Sequence, residues 1–151
     1  MDVSFLPSVS AGFPSPAESF FEKRLNVNDL LVPHPDFTYF VRVEGDSMRG
    51  AGLQSGDILV VDRSLDAVNN SIIVAILNGG FVVKRILFEA QKVALLSEHP
   101  RYPAITVQPD DGFSIWGVVT YSLHPIVAHA PRGPVVPAQH LQCGPERKKL
   151  R

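Results

Sequence analysis

Ser71-Ile72-Ile73-Val74-Ala75-Ile76-Leu77-Asn78-Gly79-Gly80-Phe81-Val82-Val83-Lys84-Arg85-Ile86-Leu87 reads as two β-strands folded back on each other. Both arms are rich in Val, Ile and Phe, residues that suit a pleated, buried surface. Asn78-Gly79 between them accepts the positive φ angles that a two-residue hairpin turn demands. Outward from this hairpin the same pattern recurs. Thr38 to Glu44, Asp57 to Asp62, Lys92 to Ser97 and Ser114 to Leu123 are short β-branched and aromatic runs separated by Gly, Asn, Asp and Pro clusters. The spacing predicts a mainly β fold, a small and mostly antiparallel domain over residues 31–124, built as a barrel or as a folded sheet. No internal repeat is present.

The flanks read differently. The first 14 residues carry no apolar period, and Pro7, Pro14 and Pro16 discourage helix there, so a flexible, extended N-terminal arm is expected. Ser15-Pro16-Ala17-Glu18 has the form of a helix start, with a capping hydroxyl, proline in the first turn and a glutamate that can reach back. Phe21 and Leu25 give that short helix one apolar face, and Val32-Pro33-His34-Pro35 ends it. The arm and helix thus occupy residues 1–30. Residues 125–151 form a proline-rich basic tail, with Pro125, Pro131, Pro134, Pro137 and Pro145, expected to be disordered.

Composition narrows the class. With 45% hydrophobic and 19% charged residues in 151, the chain has the balance of a soluble globular protein. The net charge of −1 hides an asymmetry. The tail holds Arg132, Arg147, Lys148, Lys149 and Arg151 against Glu146, which leaves the body acidic. An acidic body argues against a sequence-specific DNA-binding face. The lone Cys143 cannot form an internal disulfide, and its neighbours supply neither a metal site nor an oriented base, so it reads as an incidental thiol in a reducing compartment. No apolar run is long enough for a transmembrane helix, and Met1-Asp2-Val3-Ser4-Phe5-Leu6-Pro7 lacks the form of a signal peptide. A cytoplasmic protein is expected.

The chemistry rests on two residues. Strand alternation puts Val82, Lys84 and Ile86 on one face, and Phe81, Val83, Arg85 and Leu87 on the other. Parity alone does not decide whether Lys84 or Arg85 faces inward. Their chemistry differs: arginine stays protonated, whereas a desolvated lysine approaches neutrality. A neutral lysine can serve as the general base that activates a serine. The candidate nucleophile is Ser47 in Gly45-Asp46-Ser47-Met48, where Gly45 permits a sharp turn. A short helical turn after it would leave backbone N–H groups, those of Ser47 and Asp46, to hold an oxyanion. Ala11-Gly12, within Ala11-Gly12-Phe13-Pro14-Ser15-Pro16, offers a small-residue peptide bond as substrate. The plainer readings are a capping serine in a Gly-Asp-Ser turn and a strand lysine whose amine reaches water.

Gly45-Asp46-Ser47-Met48, Gly56-Asp57-Ile58-Leu59-Val60-Val61-Asp62 and Phe81-Val82-Val83-Lys84, in that order, resemble the self-cleaving LexA/UmuD peptidases (peptidase S24). Ala11-Gly12-Phe13-Pro14-Ser15-Pro16-Ala17 resembles the cleavage region of the UmuD-type SOS mutagenesis proteins, and Leu30-Leu31-Val32-Pro33-His34-Pro35 before Thr38-Tyr39-Phe40-Val41 continues the likeness. The resemblance implies a LexA/UmuD-like catalytic β domain with Ser47 as nucleophile, Lys84 as base and Ala11–Gly12 as the scissile bond. It further implies a homodimer whose self-cleavage is stimulated by RecA–single-stranded-DNA filaments. The trimmed form would then serve an error-prone Y-family DNA polymerase in translesion synthesis. No cofactor or metal is called for. The 11 residues through Ala11 make a shorter arm than the UmuD type carries, and the basic tail extends past the usual end.

Rival readings are weaker. A repressor would need a helix-turn-helix ahead of the cleavage site, and the arm has no room for one. A membrane-anchored serine–lysine signal peptidase would favour an apolar anchor. A Ser-His-Asp hydrolase would need His34, His99, His124, His129 or His140 to meet Ser47; His34 and His124 flank prolines and His129 and His140 lie in the tail, which leaves His99 as a candidate. Asp46, Asp57 and Asp62 match no metal-loop spacing, and Gly45, Gly50, Gly52 and Gly56 lack the strand–loop–helix context of a phosphate cradle. The remaining alternative is a dimeric binding module of the same fold that regulates a polymerase without proteolysis.

Overall fold

A computed structural model describes residues 11–12 and 26–127. The helix start expected at Ser15, with Phe21 and Leu25, lies outside those residues, as do Cys143 and the tail from residue 128. The helix that is described, α1 (Val27–Leu31), is a single turn with Asn26 as its cap, whose Oδ1 accepts the Asn28 N–H at 3.1 Å.

Seven strands follow among the described residues: β1 (Thr38–Arg42), β2 (Ile58–Asp62), β3 (Ile72–Leu77), β4 (Gly80–Glu89), β5 (Lys92–Leu96), β6 (Ile105–Thr106) and β7 (Ser114–Leu123). They form one antiparallel sheet in the order β1-β2-β7-β3-β4-β5-β6. β1 and β6 each have one neighbour, so of the two expected architectures the folded sheet is the one adopted. The short β6 had no signal in the sequence beyond two β-branched residues. The β3–β4 hairpin closes at Leu77 opposite Gly80, with Asn78 at φ 49° and Gly79 at φ 80°, as the Asn-Gly pair demands.

β3 explains the continuous apolar run that opened the reading. Val74 belongs to a buried cluster with Val43, Met48, Leu53, Leu59, Val61 and Trp116. Ile73 and Ala75, pointing the other way, pack with Ile86 and Leu95. A strand buried on both faces needs no polar alternation. The register of β2 against β7 shifts between Val60 and Val61, and there Gly117 lies so close to β2 that a Cβ would stand 2.6 Å from the Val61 Cγ1. Glycine is required by that close approach.

Two buried aspartates tie the ends of β2 to the rest. Asp57 accepts the Gln54 N–H at 2.8 Å, the Ser122 hydroxyl at 3.3 Å and His124 Nδ1 at 2.6 Å, joining β2 to the end of β7. Asp62 accepts the Ser64 N–H at 2.7 Å, the Ser64 hydroxyl at 2.6 Å and His34 Nδ1 at 2.6 Å, joining β2 to the segment before β1. Burial pushes each carboxyl pKa upward, but the bonds to the anion outweigh it, and both end below the ordinary value. A carboxyl with a depressed folded pKa stabilises the fold above its unfolded pKa, and the effect is lost as pH falls through the folded value. Asp57→Asn should therefore cost about 1–3 kcal/mol near neutrality, shrinking as pH drops below about 3.9. Urea unfolding of both proteins from pH 7 to pH 3 checks this; a gap independent of pH would refute it.

Candidate active site

Residues 43–57 cross from β1 to β2 and carry Ser47. Gly45 has φ 87°, the left-handed geometry that lets the chain turn immediately before Asp46 and Ser47. Met48 and Leu53 are buried in the cluster around Trp116, so the loop is anchored on either side of a short 3₁₀ turn at Arg49–Ala51. The helical turn expected after Ser47 is this one. Ser47 itself is half-buried.

Lys84 lies in the middle of β4, opposite Ile73 of β3 and on the face that carries Val82 and Ile86. The structure thus resolves the parity question in favour of Lys84, which is only 8% exposed. Its Nζ donates to the Ser97 Oγ at 2.7 Å and stands 5.6 Å from the centre of the Tyr102 ring. Burial, with no compensating carboxylate, pushes the lysine pKa below its ordinary value. Arg85, on the opposite face, pairs with Glu98 and donates from Nη1 to the Asn70 carbonyl at 2.7 Å.

The Ser47 loop and the lysine meet at residues 97–98. The Glu98 N–H donates to the Ser47 carbonyl at 2.8 Å, and the Gly50 N–H donates to the Glu98 carbonyl at 2.7 Å. Ser97, one residue before, holds the Lys84 amine. Gly50 is required by this approach, since a Cβ there would stand 2.6 Å from the Glu98 carbonyl oxygen. A second strap crosses the same gap. The Tyr102 hydroxyl donates to Asp46 Oδ1 at 2.7 Å, and His99 Nε2 lies 3.7 Å from Asp46 Oδ2. The hydrogen bond from Tyr102 is the main cause that lowers the Asp46 pKa, and the carboxylate in turn raises that of the Tyr102 phenol.

The other predicted residues fall as follows. His99 packs edge-on against Tyr102, its Nδ1 accepts the Arg101 N–H at 3.2 Å, and its Nε2 faces Asp46. His34 and His124 serve Asp62 and Asp57. Ala11 and Gly12 form an exposed bend. Sequence reasoning did not find Ser97, Glu98 or Tyr102. Ser97 had a signal: the β4–β5 pairs Arg85 with Leu96 and Ile86 with Leu95, continued by one residue, set Ser97 opposite Lys84. Tyr102 reaches Asp46 from a loop, and no pattern in the chain announces it.

The fold is a β-sheet domain in which a desolvated lysine and a serine-bearing turn are both bonded to one dipeptide, Ser97–Glu98. The family described as Peptidase S24-like matches residues 4–120. The chain is 44% identical over 125 residues to Protein MucA of Escherichia coli, covering 81% of this chain and 85% of that protein. Protein SamA of Salmonella typhimurium is 41% identical over 120 residues, 80% of this chain and 83% of its own. The LexA repressor of Paracidovorax citrulli is 43% identical over 111 residues, which span 73% of this chain and 49% of the repressor. The chain belongs to the peptidase S24-like family.

Two outcomes follow from the geometry. Gly50→Ala should push the serine loop off Glu98, lowering the melting temperature and the hydrogen-exchange protection of the Gly50 and Glu98 amides; unchanged protection would refute the contact. A buried lysine without a charge partner costs stability while it is protonated. Its folded pKa is depressed, so the unfolded chain binds more protons, and stability rises with pH between the folded and unfolded values. Lys84→Met should raise the melting temperature by a few degrees at pH 7, with the advantage shrinking as pH climbs toward the ordinary lysine range.

Proposed function

We propose that this chain is a serine peptidase that cuts its own Ala11–Gly12 bond with Ser47 as nucleophile and Lys84 as general base. The observation that carries the reading is the buried, uncompensated Lys84 amine held at the dipeptide that also holds the Ser47 loop. Neutral Lys84 takes the Ser47 hydroxyl proton as Oγ bonds to the Ala11 carbonyl carbon. Backbone N–H groups of the turn, those of Ser47 and Asp46, face the resulting oxyanion. The C–N bond then breaks, and the Lys84 ammonium returns its proton to the Gly12 amine. Water, deprotonated by the same lysine, adds to the acyl-enzyme and releases the Ala11 carboxylate and the Ser47 hydroxyl. The Ala11–Gly12 bend is exposed, and the bond is presented to Ser47 from the same or a second chain.

The wider role is the one that family membership and the likeness to MucA and SamA support: an SOS mutagenesis protein of the cytoplasm. RecA–single-stranded-DNA filaments stimulate the cut, and the trimmed homodimer serves a Y-family DNA polymerase. A dimer is further supported by an exposed apolar row. Phe40 of β1 and Tyr121 of β7 are exposed on either side of the buried Val60, and Leu123 is exposed beyond them.

The test is intact mass after incubation at neutral and alkaline pH, with and without RecA–DNA–nucleotide filaments. The wild-type chain should lose residues 1–11, while Ser47→Ala and Lys84→Ala should not. Because the base form of Lys84 grows with pH, unassisted cleavage should rise with pH and level off below about 10.4, the ordinary lysine value. A flat profile, or cleavage surviving either substitution, would sink the mechanism.

A further inference from the structure

We propose that Ser97 is the positioning residue for the general base, its hydroxyl fixing the Lys84 amine so that the free lone pair is turned toward Ser47. The inference rests on the serine–lysine reading above, and it concerns a residue outside that pair.

Three observations carry it. The β4–β5 register places Ser97 directly across from Lys84, one step beyond the last strand pair, so both side chains leave the sheet on the same face. The Lys84 Nζ to Ser97 Oγ distance is 2.7 Å, a full hydrogen bond made by a side chain that is otherwise packed among apolar residues. The peptide of Ser97–Glu98 is also the point at which the Ser47 loop is bonded, through Glu98 N–H to the Ser47 carbonyl and Gly50 N–H to the Glu98 carbonyl. One dipeptide therefore fixes base and nucleophile together, the first through a hydroxyl and the second through backbone.

A neutral amine has two N–H donors and one lone pair. If one N–H is given to Ser97, rotation about the Cε–Nζ bond is restricted and the lone pair remains available for the serine proton. Without that bond, the lysine's flexible stem leaves the amine free to sample other directions. The charged and titratable groups around it do not replace Ser97. Glu98 is paired with Arg85. Asp46 is bonded to Tyr102 and faces His99. Tyr102 presents its ring to the amine.

The hydroxyl also accepts a bond from the ammonium form, and thereby favours it. Removing it should have two opposite effects. Ser97→Ala should lower the limiting rate of unassisted self-cleavage at high pH by roughly 10- to 100-fold. It should also shift the midpoint of the pH profile downward, because the ammonium loses an acceptor. Ser97→Thr, which keeps the hydroxyl, should retain both rate and midpoint. Ser97→Val, its isostere without the hydroxyl, should behave like Ser97→Ala.

The experiment measures cleavage by intact mass across pH for the full chain and these three variants, with thermal melts alongside. In parallel, the Lys84 ¹³Cε resonance is titrated by NMR in the uncleavable Ser47→Ala chain, with and without Ser97→Ala. A lower rate plateau with a lower midpoint in Ala and Val but not Thr, and a lower Lys84 titration midpoint, is the expected result. Equal losses in Thr and Val, or a Lys84 titration unmoved by Ser97→Ala, would overturn the proposal. If the wild-type chain folds but never cleaves, the peptidase reading fails by itself, and the NMR titration still decides whether Ser97 holds the amine.

Discussion

The desolvation of one amine is the constraint on which the site depends. Lys84 sits in register with Ile73 and beside Ile86, on the face of the sheet where Leu95 also packs. Water is excluded by the same side chains that stabilise the fold, so the hydrophobic core and the lowered lysine pKa have one origin. Such a position lowers stability while the amine is charged, and the surrounding hairpins must hold it against that cost. β3 and β4 can, because they are central strands with neighbours on both sides.

The Ser47 loop and Lys84 are anchored in different parts of the interior. Met48 and Leu53 fix the Ser47 loop in the cluster with Leu59, Val61, Val74 and Trp116. Lys84 stands with the cluster of Ile73, Ala75, Ile86 and Leu95. β3 contributes to both, sending Val74 one way and its neighbours the other. The two sets come together beyond the end of β5, where Ser97–Glu98 bonds to the loop and Tyr102 bonds to Asp46. Rigid anchoring on each side leaves a small contact to set the relative position of serine and lysine, which explains why Gly50 cannot carry a side chain there.

This division also explains what the chain disclosed on reading. Strands were legible because β-branched runs and the Asn78-Gly79 turn are local signals, each imposed by the backbone of a few residues. The choice between an open sheet and a barrel was not, since it depends on which strands become edges. Ser47 and Lys84 were singled out through the oddity of a lysine among Val and Ile and through resemblance, and the structure adds that Lys84 is buried. The choice between Lys84 and Arg85 had to rest on chemistry, because strand parity is symmetric. Ser97 was within reach, had the register of the second hairpin been followed from Glu89 and Lys92 to its end. The Tyr102–Asp46 bond joins residues 56 positions apart through loops, and only the folded chain brings them together.

Arg85 shows how the same hairpin protects the base. Two like charges adjoin in sequence, and alternation sends them to opposite faces. Lys84 goes into the interior; Arg85 goes to Glu98, the acid next to Ser97. An unpaired carboxylate about 4 Å from the amine would favour the ammonium by about 4 kcal/mol at an effective dielectric of about 20, or about three pKa units. That is enough to keep a lysine charged and useless as a base near neutrality. Asp46, the other acid of the site, is likewise engaged, by Tyr102 and His99. Burial lowers the lysine pKa, while the nearby acids Glu98 and Asp46 are bonded to Arg85 and to Tyr102. Arg85 and Tyr102 therefore shape the surroundings of Lys84 and Ser47 by holding Glu98 and Asp46.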